Sequence, residues 1–296
     1  MRDPGPMPPE VLQAYAALRS EFITRAQWQG FCRAHNSLVR AIEVLPFDPR
    51  FNAVHWALDA QSLCRQIAYS FLWMSAYADY YRQLVQPGQR LSDENFHVGY
   101  YADTAIVLID SCRDKIALAA WAYYASFNPE KRVLDYRSVC DRLRFPARHG
   151  LCIRYQKVFV DALSFLSAQC FKKVERYRHL KVHRREPHIQ MYGVARHHGW
   201  DYMVPCFGQN ERRRLDRSLE ADYHDPHLRA TARSGCEVSG VLYSRRRLRD
   251  AIWTYEDVHG LVDECLEGLL CSATRTMRIL RRRDPIRQRH DSREIL

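Results

Sequence analysis

Between Pro49 and Pro87 the chain runs without another proline or a glycine, and Trp56, Leu63, Ile67, Phe71, Met74 and Tyr77 recur along it at helical spacing. So apolar a face cannot stand in water. The run predicts a long helix that starts at Pro49 behind an Asp48 cap, stops before Pro87 and Gly88, and belongs in a core. A second long helix is expected from Ser92 or Asp93, reading through Tyr100, Thr104, Val107, Ile109, Ile116, Leu118 and Trp121 towards Asn128 and Pro129. Two such helices need helical partners, and the sequence supplies them.

Pro9 sets up a helix carrying Val11, Leu12, Tyr15, Leu18 and Phe22, and another follows from Ala26 to Val44. A short helix is expected over 135–143, then one amphipathic helix from Gln156 to Val182 with Phe159, Leu163, Leu166, Cys170, Val174 and Tyr177 as its stripe. Beyond Pro187 the texture changes. HIQMYGV and DYMVPCF are short β-prone runs about the polar turn ARHHGW, GCEVSGVLY offers a second hairpin at Ser239-Gly240, and a charged helix over 210–222 lies between them. Thr254 opens a last helix with Asp257 three residues on and a stripe of Val258, Leu261, Val262, Cys265, Leu266, Leu269 and Leu270. The fold class is therefore mainly α: long bundled helices with a small β-hairpin insertion.

Neither long apolar stretch offers the ~20 uninterrupted apolar residues of a membrane span. Asp79 breaks 67–81, and Asp110, Arg113, Asp114 and Lys115 break 102–124. The first residues, MRDPGPMPPE, lack the basic-then-apolar run of a secretory signal, and the ten cysteines form no CxxC pair. A cytoplasmic protein with thiols used as small core hydrophobes is expected, with no membrane span.

A net charge of +11 and a pI near 9.3 favour polyanionic partners. The excess is concentrated. From Phe171 to Arg185, the cations Lys172, Lys173, Arg176, Arg178, Lys181, Arg184 and Arg185 face the single anion Glu175. Phosphate contact is the simplest reason for that density. Within this segment lies RHLKVH, an Arg followed five residues later by a His. An Arg to steady a phosphate and a His to move protons can cleave RNA without a metal, because the ribose 2′-hydroxyl supplies the nucleophile. The spacing alone says nothing, since it recurs at Arg50/His55 and Arg144/His149. The second position discriminates: it is Phe51 and Phe145 there, but His179 here.

Arg, then Asn, Asp or His, then three residues, then His is the signature of the HEPN superfamily (higher eukaryotes and prokaryotes nucleotide-binding), and RHLKVHRREP resembles its form in large bacterial members. The upstream helix DTAIVLIDSCRDKIALAAW is similar to the family's other core helix, so the resemblance covers about residues 95 to 190. It implies an up-and-down helical bundle that dimerises and joins two copies of the motif in one cleft. Relatives include metal-independent endoribonucleases of toxin, defence and RNA-processing systems, and others that only bind nucleic acid or scaffold a complex. By position, Arg178 and His183 would take the catalytic roles and His179 the polar second position, where Asn is commonest. Independently of the resemblance, Asp110 and Asp114 share a helical face and flank Arg113 and Lys115, so Asp110, Arg113 and Asp114 are expected as a supporting polar site between packed helices.

The organisation expected is an N-terminal helical region over 1–90, HEPN-like core helices over 91–190, hairpin insertion and C-terminal helices over 191–280, and a basic tail over 281–296. RNA and a second copy of the chain are the expected partners, together with a protein that neutralises the enzyme. No cofactor and no metal are expected. Other readings stand beside this one. Cations are favoured at a helix C-terminus whatever the chain does, Asp110 to Lys115 could be a self-neutralising exposed patch, and a silent HEPN-like module would bind RNA or protein without cleaving. An interaction module with the tail as an anionic-surface anchor is a third class. His179 and His183 share a face, yet no acidic third ligand follows, and His197-His198 and His224 with His227 read as polar loops.

Overall fold

The computed structural model describes residues 7–42, 51–84, 96–125, 135–145, 153–183, 188–190, 192–197, 200–205, 236–238, 241–243 and 252–281, with the backbone alone described for 41–42, 82, 84, 96, 124–125, 153–156, 179–183 and the strands. The described chain is predominantly helical. Its helices are α1 (Pro9–Phe22), α2 (Ala26–Ile42), α3 (Phe51–Leu84), α4 (Phe96–Ala125), α5 (Tyr136–Arg144), α6 (Ile153–Leu163), α7 (Gln169–His183) and α8 (Tyr255–Arg281). Short strands lie between α7 and α8: β1 (His188–Gln190), β2 (Tyr192–His197), β3 (Trp200–Pro205), β4 (Cys236–Val238), β5 (Val241–Tyr243) and β6 (Ile252–Thr254). β2 pairs antiparallel with β3, β4 antiparallel with β5, and β1 parallel with β6. The caps expected at Asp48 and at Ser92 or Asp93, the helix over 210–222, the Ser239-Gly240 turn and the tail from 282 lie outside the described residues.

The chain divides into two compact units, each assembled from three segments. The first takes Met1–Glu21, Ile67–Val107 and Lys172–Glu264; the second takes Phe22–Gln66, Leu108–Phe171 and Cys265–Leu296. In the first, a cluster of aromatic rings packs beside aliphatic residues such as Ile67, Met74, Ile106 and Val262. Tyr15 stacks on Trp73 with centroids 4.1 Å apart, Tyr77 stacks on His97 at 4.4 Å, and Phe71 packs against His259 at 4.7 Å. Tyr69, Trp73, Tyr77 and Tyr81 follow one another every fourth residue along α3, so they line one face of it.

The second unit is packed mainly by aliphatic and sulfur-bearing side chains, including Leu38, Cys64, Ile109, Cys112, Ile116, Leu166, Cys265 and Leu266, with Tyr123 edge-on to Phe159 at 5.8 Å. The Cys64 and Cys112 sulfurs lie 3.4 Å apart as free thiols. Burial pushes the Cys112 thiol well up, as expected of a sulfur used for packing.

Two local expectations need correction. The single helix expected over 156–182 is broken: α6 ends at Leu163, Ser164–Ser167 forms a 3-10 turn, and Ala168 is extended at φ −59°, ψ 156°. Serine hydroxyls cause the break. Ser164 Oγ donates to the Asp161 carbonyl at 2.8 Å and Ser167 Oγ to the Ser164 carbonyl at 2.7 Å, serving carbonyls that a continued helix would have bonded itself. Arg275 of α8 donates to the same Asp161 carbonyl at 3.0 Å, with its guanidinium over the Phe165 ring. The apolar stripe survives, because Phe159, Leu163, Leu166, Cys170, Val174 and Tyr177 are all buried.

The second correction concerns α4. Its reading ran through Tyr100 and Val107, which are exposed, whereas Ile109, Ile116 and Trp121 are buried as read, together with Val98, Ala102, Ala105, Ile106, Cys112, Ala117, Ala119, Ala120 and Tyr123. Alanines set between these larger buried residues let neighbouring backbones approach closely. Among the described residues no helix is long and apolar enough to cross a membrane.

Candidate nucleic-acid interface

The extended Ala168 starts α7 afresh, and its carbonyl accepts the Phe171 N–H at 3.2 Å. Cys170, Phe171, Val174 and Tyr177 then fall at helical spacing and are buried, while Lys172, Lys173, Arg176 and Arg178 are exposed and Glu175 is half-buried. Tyr177 fixes the rotation of the helix. Its hydroxyl donates to Asp103 Oδ1 on α4 at 2.7 Å, and its side chain is fully buried. Successive residues are about 100° apart, so Arg176 and Arg178 emerge on either flank of this anchor.

The helical backbone extends to His183, its last residue. On that register Lys172, Arg176, His179 and His183 share one face within an arc of about 60°, whereas Arg178 lies about 140° round from His183. The side chains of His179, Lys181 and His183 lie outside the described residues, as do Arg184 and Arg185 altogether. So does His198 with His224 and His227, whereas His197 is placed as the last residue of β2.

Asp110, Arg113 and Asp114 belong to the second unit and Lys172 through Arg178 to the first. Asp110 and Arg113 are 6% and 5% exposed and pair at 2.7 Å, so they are not a solvated patch. The Arg113 guanidinium also lies over the Tyr136 ring at 4.8 Å and the Phe171 ring at 5.8 Å, linking α4 to the starts of α5 and α7. Asp114, half-buried, accepts the Tyr136 N–H at 2.9 Å, while Asp135 accepts the Ser138 N–H at 2.7 Å as the cap of α5.

The two carboxylates at the start of α5 are tuned in opposite directions. Burial raises Asp114 above the ordinary aspartate value, with the charge of Asp110 adding to it against the Tyr136 N–H and Arg113. Hydrogen bonds from the Ser138 hydroxyl and N–H hold Asp135 below that value. This arrangement seats a helix start on a buried ion pair. Its described partners are all protein groups.

The aromatic array of the first unit was not singled out from sequence as a site. The fourfold spacing of Tyr69, Trp73, Tyr77 and Tyr81, answered by His97 and Tyr101 on α4, is the signal that marks it. Burial lowers His97, keeping it neutral near pH 7, and pushes Tyr101 up to about 12 with the neighbouring tyrosines adding to the effect. Among the described residues there is no group of three or more His, Cys, Asp or Glu that could hold a metal ion. Comparison with family models, with curated proteins and with solved structures gives no match.

Proposed function

We propose that the chain is a metal-independent endoribonuclease, a HEPN-like helical bundle in which the strands between α7 and α8 form a small hairpin insertion. One observation carries the RNA reading: α7 buries Phe171, Val174 and Tyr177 while Lys172, Lys173, Arg176 and Arg178 stand in solvent. Cations presented on an anchored helix provide phosphate contacts, to which Lys181, Arg184 and Arg185 would add.

In the reaction, the 2′-oxygen attacks the adjacent phosphorus as His183 takes its proton. The bond from phosphorus to the 5′-oxygen breaks, the leaving oxygen is protonated, and a 2′,3′-cyclic phosphate and a 5′-hydroxyl result. Arg178 stabilises charge on the phosphoryl oxygens, and His179 orients the phosphate. The angle between Arg178 and His183 along α7 favours a site completed by the Arg178 of a second copy, hence a homodimer. A protein that neutralises such an enzyme and a cytoplasmic setting belong to the same reading.

The test is incubation of wild type, Arg178→Ala and His183→Ala with transfer, ribosomal and unstructured RNA in EDTA, followed by end-group analysis. Cleavage by wild type alone, leaving cyclic or 3′-phosphate ends, is expected. RNA retained at low salt but left intact would replace the nuclease with a catalytically silent RNA-binding relative.

A further inference from the structure

Tyr100 stands out on the surface of the first unit. It is 55% exposed, although α4 has ample buried positions, and its ring is held edge-on to Tyr101 at 5.3 Å. Tyr101 stacks in turn with Trp73 and Tyr77, so the exposed ring rests on a fixed base. Val107, 39% exposed, lies seven residues on and hence on the same face of α4. One turn beyond Tyr100 is Asp103, the acceptor for Tyr177, whose neighbours in sequence are the exposed Arg176 and Arg178. A fixed aromatic surface and a pair of guanidinium groups therefore occupy adjacent turns of two helices that the Tyr177–Asp103 hydrogen bond joins.

Resting on the RNA reading above, the geometry points to a single-stranded segment as the form bound, with one base stacked on Tyr100 and neighbouring phosphates on Arg176 and Arg178. The chemistry selects the form. A duplex hides the faces of its bases and displays a phosphate surface, which cations suffice to hold. A single strand offers base faces to an exposed ring. Sequence preference should be weak, since every base has such a face.

The experiment measures binding of a short 2′-O-methyl oligoribonucleotide carrying 2-aminopurine, alone or annealed to its complement, by anisotropy and by 2-aminopurine quenching. The 2′-O-methyl groups remove the nucleophile, so binding is read apart from cleavage. The single strand should bind more tightly than the duplex and its fluorophore should be quenched. Tyr100→Ala should raise Kd roughly 5- to 150-fold and remove the quench, while Tyr100→Phe keeps both. Tyr100→Leu, which retains apolar bulk without a ring, should behave like the alanine variant and covers the case in which alanine lowers the melting temperature. Phe51→Ala, an exposed aromatic of the second unit, should change nothing. Equal Kd for Tyr100→Ala and wild type, or equal affinity for both forms of the probe, overturns the stacking site and leaves the RNA reading standing. Failure of wild type to bind either form at low salt removes both.

Discussion

Removing the Tyr177 hydroxyl tests whether α7 is held in rotation by its bond to Asp103. The oxygens are 2.7 Å apart, the tyrosine is fully buried and the aspartate is half-buried. Hydrogen bonds to charged groups contribute about 1.5–3 kcal/mol when lost, and water can reach Asp103 to recover part of that, so Tyr177→Phe should cost about 2 kcal/mol. In a chain of this size that lowers the melting temperature by about 3 °C. The decisive assay is a double-mutant cycle on urea unfolding with Tyr177→Phe, Asp103→Ala and the double variant. A coupling energy of about 1–2 kcal/mol is expected. Single effects that add to the double effect within about 0.5 kcal/mol would refute the anchor. A 2-aminopurine probe on the same variants links the anchor to binding: a loosened α7 should weaken quenching by Tyr100 even though that ring is untouched.

Two glycines of α8 should respond oppositely to alanine. At Gly260 an added Cβ meets nothing within 4 Å, so Gly260→Ala should stabilise by about 0.5–1 kcal/mol through helix propensity and the less mobile unfolded chain. At Gly268 it would lie 3.3 Å from both the Phe165 carbonyl oxygen and the Phe171 ring, so Gly268→Ala should destabilise by about 1 kcal/mol in the same unfolding measurement. Asp114 sets a pH dependence. Its folded value is raised above 3.8, so its contribution to stability is present below that pH and is lost as pH rises through the folded value. Asp114→Asn keeps an oxygen acceptor for the Tyr136 N–H, so its urea midpoint should gain on that of wild type as pH rises above 3.8 through the raised folded value. Parallel profiles would show that Asp114 does not titrate differently on folding.

The stripe from Phe159 to Tyr177 was legible because its period is set by burial, and all six residues are buried. The break inside it was not, because it depends on which carbonyls Ser164 and Ser167 reach and on Arg275, more than a hundred residues away. Reading α4 by its larger residues found the buried Ile109, Ile116 and Trp121, but it also took in the exposed Tyr100 and Val107 and passed over the buried alanines. The charges at 110–114 were visible as an interruption. Their burial was not, since Tyr136 and Phe171, which enclose Arg113, come from other elements. For the interface, the cations of α7 could be named from sequence, but the Tyr177 bond to Asp103 spans 74 residues and has no local signature.

The 3-10 turn between α6 and α7 also decides where the gene can change length. A residue added within 164–168 falls outside the α-helical segments, so the turn can absorb it and α7 restarts from the same anchor. The same addition between Val174 and Tyr177 would rotate everything after it by about 100°, swinging Tyr177 away from Asp103 and carrying the two histidines off the face of Lys172. Length variation among descendants of this sequence should therefore gather at the serine turn and stop abruptly at Gln169.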